Sequence, residues 1–141
     1  MALLHQNLVA WQRADDLFIE VHRLTHQRFP AHERYELGSQ IRRAAYSVAA
    51  NIVEGTAREH DKEKCRFFDI AGASLRELGY GLHASCRLGY VSEASLAEFE
   101  RKLGYIGAPL RGLIARHSRP GEARPAPSER LKAARPFRRT E

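Results

Sequence analysis

His22 and His26 stand four residues apart, a spacing at which two imidazoles on one helix face can share a metal ion. Such an ion needs further ligands, and no Glu-x-x-His pair of the di-iron bundle kind occurs to supply them. No metal site and no cofactor is therefore expected. Cys65 and Cys86 are 21 residues apart, which is no zinc spacing. Ser, His and Asp all occur, but no nucleophile motif frames them, and no glycine-rich phosphate loop is present.

The basic residues offer a different chemistry. Arg42, Arg43, Arg58, Lys62, Lys64 and Arg66 could contact phosphates, because each cation that neutralises a phosphate releases a counterion from a nucleic acid. Glu59, Asp61 and Glu63 are interleaved among them, so an ordinary mixed surface is the plainer alternative. The net charge of +6 is uneven: residues 1–116 hold 16 Lys+Arg against 14 Asp+Glu, and residues 117–141 hold 7 against 3. A pI near 9.7 suits an anionic partner, although the cations form no dense stripe.

Gln40, Arg43, Ser47, Asn51 and Glu54 recur at steps of three and four, which places them on one helix face. Gln, Ser and Asn are short, directional hydrogen-bonding groups, so this face reads as a packed polar seam between helices or subunits. Plain solvent exposure and ligand binding are the alternatives. Arg58, just past the end of that helix, divides in the same way.

Helices must position these groups. Ala14, Leu17, Phe18, Val21 and Leu24 have the spacing of one buried stripe and predict a helix over residues 9–27, stopped by Pro30. Ile41, Ala44, Ala45, Val48 and Ile52 predict a second over 39–54, with Gly55 as a left-handed cap and residues 55–60 as a loop. Asp61 is the expected N-cap of a third, whose stripe Phe68, Ala71, Leu75, Leu78 and Leu82 runs on until Gly89 ends it. Gly72, Gly79 and Gly81 inside that helix each cost roughly 1 kcal/mol relative to alanine, which points to close approach by a neighbour.

Ser92, or Ser95 in a capping box with Glu98, starts a fourth helix. Its stripe Leu96, Phe99, Leu103, Ile106, Leu110 and Leu113 is a bundle seam, and Pro109 removes one backbone bond from it and should bend it.

The expected class is all-α: an up-down-up-down antiparallel four-helix bundle over residues 1–116, followed by a disordered basic Pro- and Arg-rich tail over 117–141. On one continuous third helix, Cys65 and Cys86 would lie about 31 Å apart, too far for a disulfide. Unpaired thiols fit a reducing compartment. No apolar run approaches the roughly 18 residues of a membrane span, and the first nine residues lack signal-peptide character, so a cytoplasmic protein with no membrane partner is expected.

Beyond these patterns, the pieces VAWQRA (9–14), LTHQRFPAHERYEL (24–37), QIRRAAYSVAANIVEG (40–55), Arg58, FFDIAGASLREL (67–78) and LGYVS (88–92) form a set. Together, over about residues 8–114, they resemble the bacterial four-helix bundle family first known from open reading frames in intervening sequences of 23S ribosomal RNA genes. The resemblance implies a bundle that assembles into a closed ring, a pentamer in relatives, with no established catalytic activity. A distant branch, the accessory variability determinants of diversity-generating retroelements, forms the same kind of ring and binds nucleic acid with a reverse transcriptase. Gly38, His60, the pair Gly79 and Gly81, and Pro109 depart from the usual pattern, and bear on helix ends and straightness.

The reading that follows is a non-catalytic, homo-oligomeric assembly or adaptor protein, with RNA or DNA binding through its basic surface as a further expectation. One alternative is a ribonuclease of the HEPN class, since Arg111 with His117 and Arg76 with His83 meet its loose Arg-to-His spacing. Another is a protein interaction module with no nucleic-acid role.

Overall fold

The computed structural model describes residues 4–118. One turn of 3-10 helix, Leu4–Asn7, leads into α1 (Val9–Arg28), the single turn α2 (Ala31–Arg34), α3 (Leu37–Ala57), α4 (Asp61–Arg87) and α5 (Glu93–His117). No strand occurs among the described residues. The four long helices pack in a closed cycle, α1 on α3, α3 on α4, α4 on α5 and α5 back on α1. This is the antiparallel four-helix bundle that the periodicity predicts. The expected disordered tail lies outside the described residues, apart from His117, which closes α5, and Ser118.

Apolar stripes meet along the axis. Leu17 and Val21 of α1, Ile41, Val48 and Ile52 of α3, Phe68, Leu78 and Leu82 of α4, and Ile106 and Leu110 of α5 are each at most 2% exposed. Burying one such side chain contributes roughly 1.5–3 kcal/mol. Among the described residues no helix is long and apolar enough to cross a membrane.

Several helix ends differ from expectation. α1 does stop before Pro30, with Phe29 extended at φ −78° and ψ 141° and buried against Tyr90. α3, however, begins at Leu37 rather than Ser39 and ends at Ala57 rather than Glu54. Gly55 is helical and not a left-handed cap: a Cβ there would lie 2.6 Å from Cε1 of Phe68 and 2.8 Å from its Cδ1. Glycine stands at that point because an aromatic ring lies against the backbone. Gly81 is equally close to Ile41 Cγ1, at 2.8 Å, whereas a Cβ at Gly72 would meet only ordinary van der Waals distances.

Only Gly89 has a positive φ among the described residues, +84°. It ends α4 as expected, with Tyr90 N–H donating to Ser85 O at 2.9 Å and Gly89 N–H to Cys86 O at 3.0 Å. These two bonds satisfy carbonyls that the helix end would otherwise leave unpaired. Asp61 is the first residue of α4 rather than its cap; the cap position is His60, whose side chain makes no capping bond. Ser92, not Ser95, caps α5, its Oγ accepting from Ser95 N–H at 3.1 Å, while Glu98 pairs with Arg101 instead of closing a capping box.

Pro109 has no N–H, so the carbonyl of Tyr105, four residues earlier, loses its helical donor. α5 runs on through this point because α1 supplies a replacement: Arg13 Nη1 donates to Tyr105 O at 2.6 Å, with its guanidinium 5.6 Å from the Tyr105 ring. Arg13→Ala should therefore cost about 1 kcal/mol in urea unfolding. In a Pro109→Ala background, where residue 109 regains its N–H, the same change should cost measurably less. Equal costs in both backgrounds would reject the compensation.

Candidate functional site

The polar face of α3 divides in two. Ser47 Oγ meets Ser74 Oγ of α4 at 2.7 Å, and Asn51 Nδ2 donates to Ser47 O at 2.8 Å and to Ser47 Oγ at 3.0 Å. Ser74 is buried and Ser47 and Asn51 are half-buried. These three form the packed polar seam, within one chain and between α3 and α4. Gln40, Arg43 and Glu54 are exposed at its margin, and Glu54 accepts from Arg58 Nη2 at 3.0 Å.

The six cations divide as well. Arg42 is a corner clamp: Nη1 donates to Thr25 Oγ1 at 2.8 Å and Nη2 to the Arg34 carbonyl at 2.9 Å. Thr25 is fully buried, and its hydroxyl donates in turn to His22 O at 3.1 Å. Lys64 Nζ donates to Thr56 O at 3.0 Å, where the last turn of α3 lacks helical donors. Arg58, besides its bond to Glu54, lies 4.6 Å over the Phe67 ring, and Arg66 lies 5.6 Å from the same ring.

Arg43, Lys62 and Arg66 keep exposed side chains. They do not form one patch. Arg43 sits near the start of α3, whereas Lys62 and Arg66 sit at the start of α4, beside the end of α3. A helical rise of 1.5 Å per residue separates the two groups by roughly 20 Å. At the α4 end, His117 Nδ1 meets Asp61 Oδ1 at 2.9 Å, so the chain continues toward residues 119–141 from the same end as Lys62 and Arg66.

The candidate metal and nuclease pairs are also placed. His22 and His26 stack at 4.5 Å between ring centroids, and His26 Nδ1 donates to His22 O at 2.8 Å. Among the described residues no group of three or more His, Cys, Asp or Glu could hold a metal ion. Six residues at 100° each leave Arg111 and His117 on different sides of α5, and His117 faces Asp61 and the Phe68 ring. Arg76 and His83 share an exposed face of α4, about 10 Å apart along the axis. Cys65 and Cys86 lie on the one helix α4, both as free thiols.

Two carboxyl and phenol groups elsewhere are shifted. A hydrogen bond from Arg101 holds Glu98 below the usual carboxylate range. Burial, then the neighbouring Glu33 carboxylate, pushes the Tyr90 hydroxyl above the usual phenol range.

One surface feature escaped the sequence patterns. Phe18, His22, Ser39, Arg42, Arg43 and Tyr46 line a groove of about 320 Å³ between α1 and α3. Tyr46 is 62% exposed and lies edge-on to Phe18 at 5.9 Å and 70°, and Phe18 is edge-on to His22 at 6.0 Å and 66°. Tyr46 falls just outside the apolar stripe of α3, four residues after Arg42 and three after Arg43. That spacing was its only trace in the sequence.

Comparison with known proteins gives one assignment. The family model described as 23S rRNA-intervening sequence protein matches residues 6–112. A search of curated proteins gives no match.

Proposed function

Because this chain belongs to the 23S rRNA-intervening sequence protein family, we propose that it is a non-catalytic helical bundle that assembles with copies of itself and holds RNA or DNA through exposed cations. The observation that carries the nucleic-acid part is the end of the bundle where α4 begins. Lys62 and Arg66 are exposed there, and the chain continues from His117, bonded to Asp61 at that end, into a segment with 7 Lys+Arg against 3 Asp+Glu over residues 117–141. Phosphates are the matching partner for such a group of cations.

Assembly is supported by the resemblance to a ring-forming family; the in-helix glycines Gly55 and Gly81 and the polar seam are used within each copy, between α3 and α4. A closed ring of five would gather five copies of a +6 chain on one particle, and weak phosphate contacts would then add as avidity. The two free thiols fit a reducing, cytoplasmic setting.

Light scattering should give a mass near five times 16.0 kDa; a monomer across micromolar concentrations would defeat the assembly. Polarisation titrations at three salt concentrations should show log K falling with log salt by about 0.9 per neutralised phosphate on duplex DNA and about 0.7 on single strands. Removing residues 119–141 should lower that slope. No binding at the lowest salt would leave a protein interaction module as the better reading. RNA should stay intact during these titrations, and cleavage lost on changing His117 or His83 would restore the ribonuclease.

A further inference from the structure

The groove between α1 and α3 has a composition that cation contacts with phosphates do not need. Three aromatic rings follow one another along it, Tyr46, Phe18 and His22, and the outermost is mostly exposed. Phosphate binding alone asks for cations and hydrogen-bond donors. An exposed ring held in place by a second ring is what a planar apolar ligand asks for, because the free face can stack without first being ordered.

The polar lining is one-sided. Arg42, Arg43 and Ser39 line the groove, and none of its six lining residues is acidic. Arg42 is already fixed by its bonds to Thr25 and the Arg34 carbonyl, so its positive charge stays at the groove wall at no further ordering cost. Arg43 is exposed, one helical turn before Tyr46, and is free to approach an anion beside a base stacked on the ring. A ring platform, a fixed cation and a second exposed cation together match a base with its attached phosphate.

We infer that this groove takes an unpaired nucleobase on Tyr46 with its phosphate at Arg43, and so gives the protein a preference for single-stranded over duplex nucleic acid. The inference rests on the nucleic-acid reading above and adds to it a subsite and a strand form. In a duplex the bases are stacked on one another and their faces are closed to Tyr46. A duplex therefore gains only the cation contacts.

The test uses the full chain, a labelled 12-nucleotide single strand of one base type, and the matching duplex. Tyr46→Ala should weaken single-strand binding by about 5- to 150-fold, the range that stacking of one base supplies. The same change should leave duplex affinity within twofold and the salt slope unchanged. Tyr46→Phe, which keeps the ring, should bind the single strand within twofold of the parent protein. Arg43→Gln should lower the single-strand salt slope by about 0.7.

If Tyr46→Ala binds the single strand as tightly as the parent, or weakens single strand and duplex equally, the groove is not a base site and the cation reading stands alone. A changed mass in light scattering for Tyr46→Ala, with single-strand affinity intact, would show that another copy of the chain covers the groove and would overturn the inference. If the parent protein binds neither strand form at the lowest salt, the nucleic-acid reading itself falls.

Discussion

Replacing Phe68 with alanine should lower the free energy of unfolding by about 3–5 kcal/mol, the usual cost of removing a buried aromatic ring. Phe68 is 1% exposed and its ring fills the space over Gly55, where a side chain would otherwise sit. The two positions are therefore one packing unit. Gly55→Ala alone gains about 1 kcal/mol of helix propensity, but its new methyl would press on a ring that cannot retreat, at an overpacking cost of about 1–3 kcal/mol. It should be neutral to destabilising in the parent protein and should recover part of the loss in Phe68→Ala, where the methyl enters the vacated space. Urea denaturation with an unchanged m-value reads both. A gain of the full helix-propensity increment by Gly55→Ala in the parent protein would show that the ring does not hold that site.

Arg42→Ala should cost about 1.5–3 kcal/mol, the range for hydrogen bonds that involve a charged group, while its neighbour Arg43→Ala should stay within about 0.5 kcal/mol, as exposed positions do. The difference comes from the corner at the end of α1. Arg42 joins the buried hydroxyl of Thr25 to the carbonyl of Arg34, and so ties α1, α2 and α3 together. Removing it leaves the Arg34 carbonyl and the Thr25 hydroxyl without that donor. Arg42→Lys should fail to rescue, because one ammonium on a flexible stem does not reproduce two fixed, divergent donors. Thermal melts of the three variants decide it, and equal midpoints for the changes at 42 and 43 would remove the clamp.

These two arginines also mark the limit of what the sequence conveys. They are adjacent and identical in type, and a 100° step puts one inside a corner and the other outside. Nothing local separates them, because the partner that decides the matter, Thr25, is 17 residues earlier on another helix. Ser47 and Asn51 could be read as one polar face from their spacing, yet the buried hydroxyl that completes the seam, Ser74, is 27 residues away.

The fold itself was more legible, because each helix carries its own apolar stripe. Helix ends follow the same division. Pro30, Gly89 and Ser92 act on their immediate neighbours and were readable. Gly55 has a role set by a ring on the next helix, and glycine after an apolar stripe looks the same whether it caps or is covered. The match over residues 6–112 agrees with the resemblance carried by the quoted segments.

The contacts between α1 and α5 have a consequence for how the chain closes on itself. Lys102 reaches Glu20 across 82 residues and Arg13 reaches Tyr105 across 92, whereas the corner at Thr25 closes over only 17. Loop-closure entropy makes the 82-residue contact about 1.4 kcal/mol more costly than the 17-residue one. The Glu20–Lys102 ion pair, with both side chains a third or more exposed, returns less than about 1 kcal/mol of that. The rest of the joint between the first and last helices is therefore held by its apolar stripe and by the Arg13 bond to Tyr105 O. The shorter loop predicts an order of assembly, corner before closing seam, which amide hydrogen exchange during refolding would read as earlier protection at the α1–α3 corner than along α5.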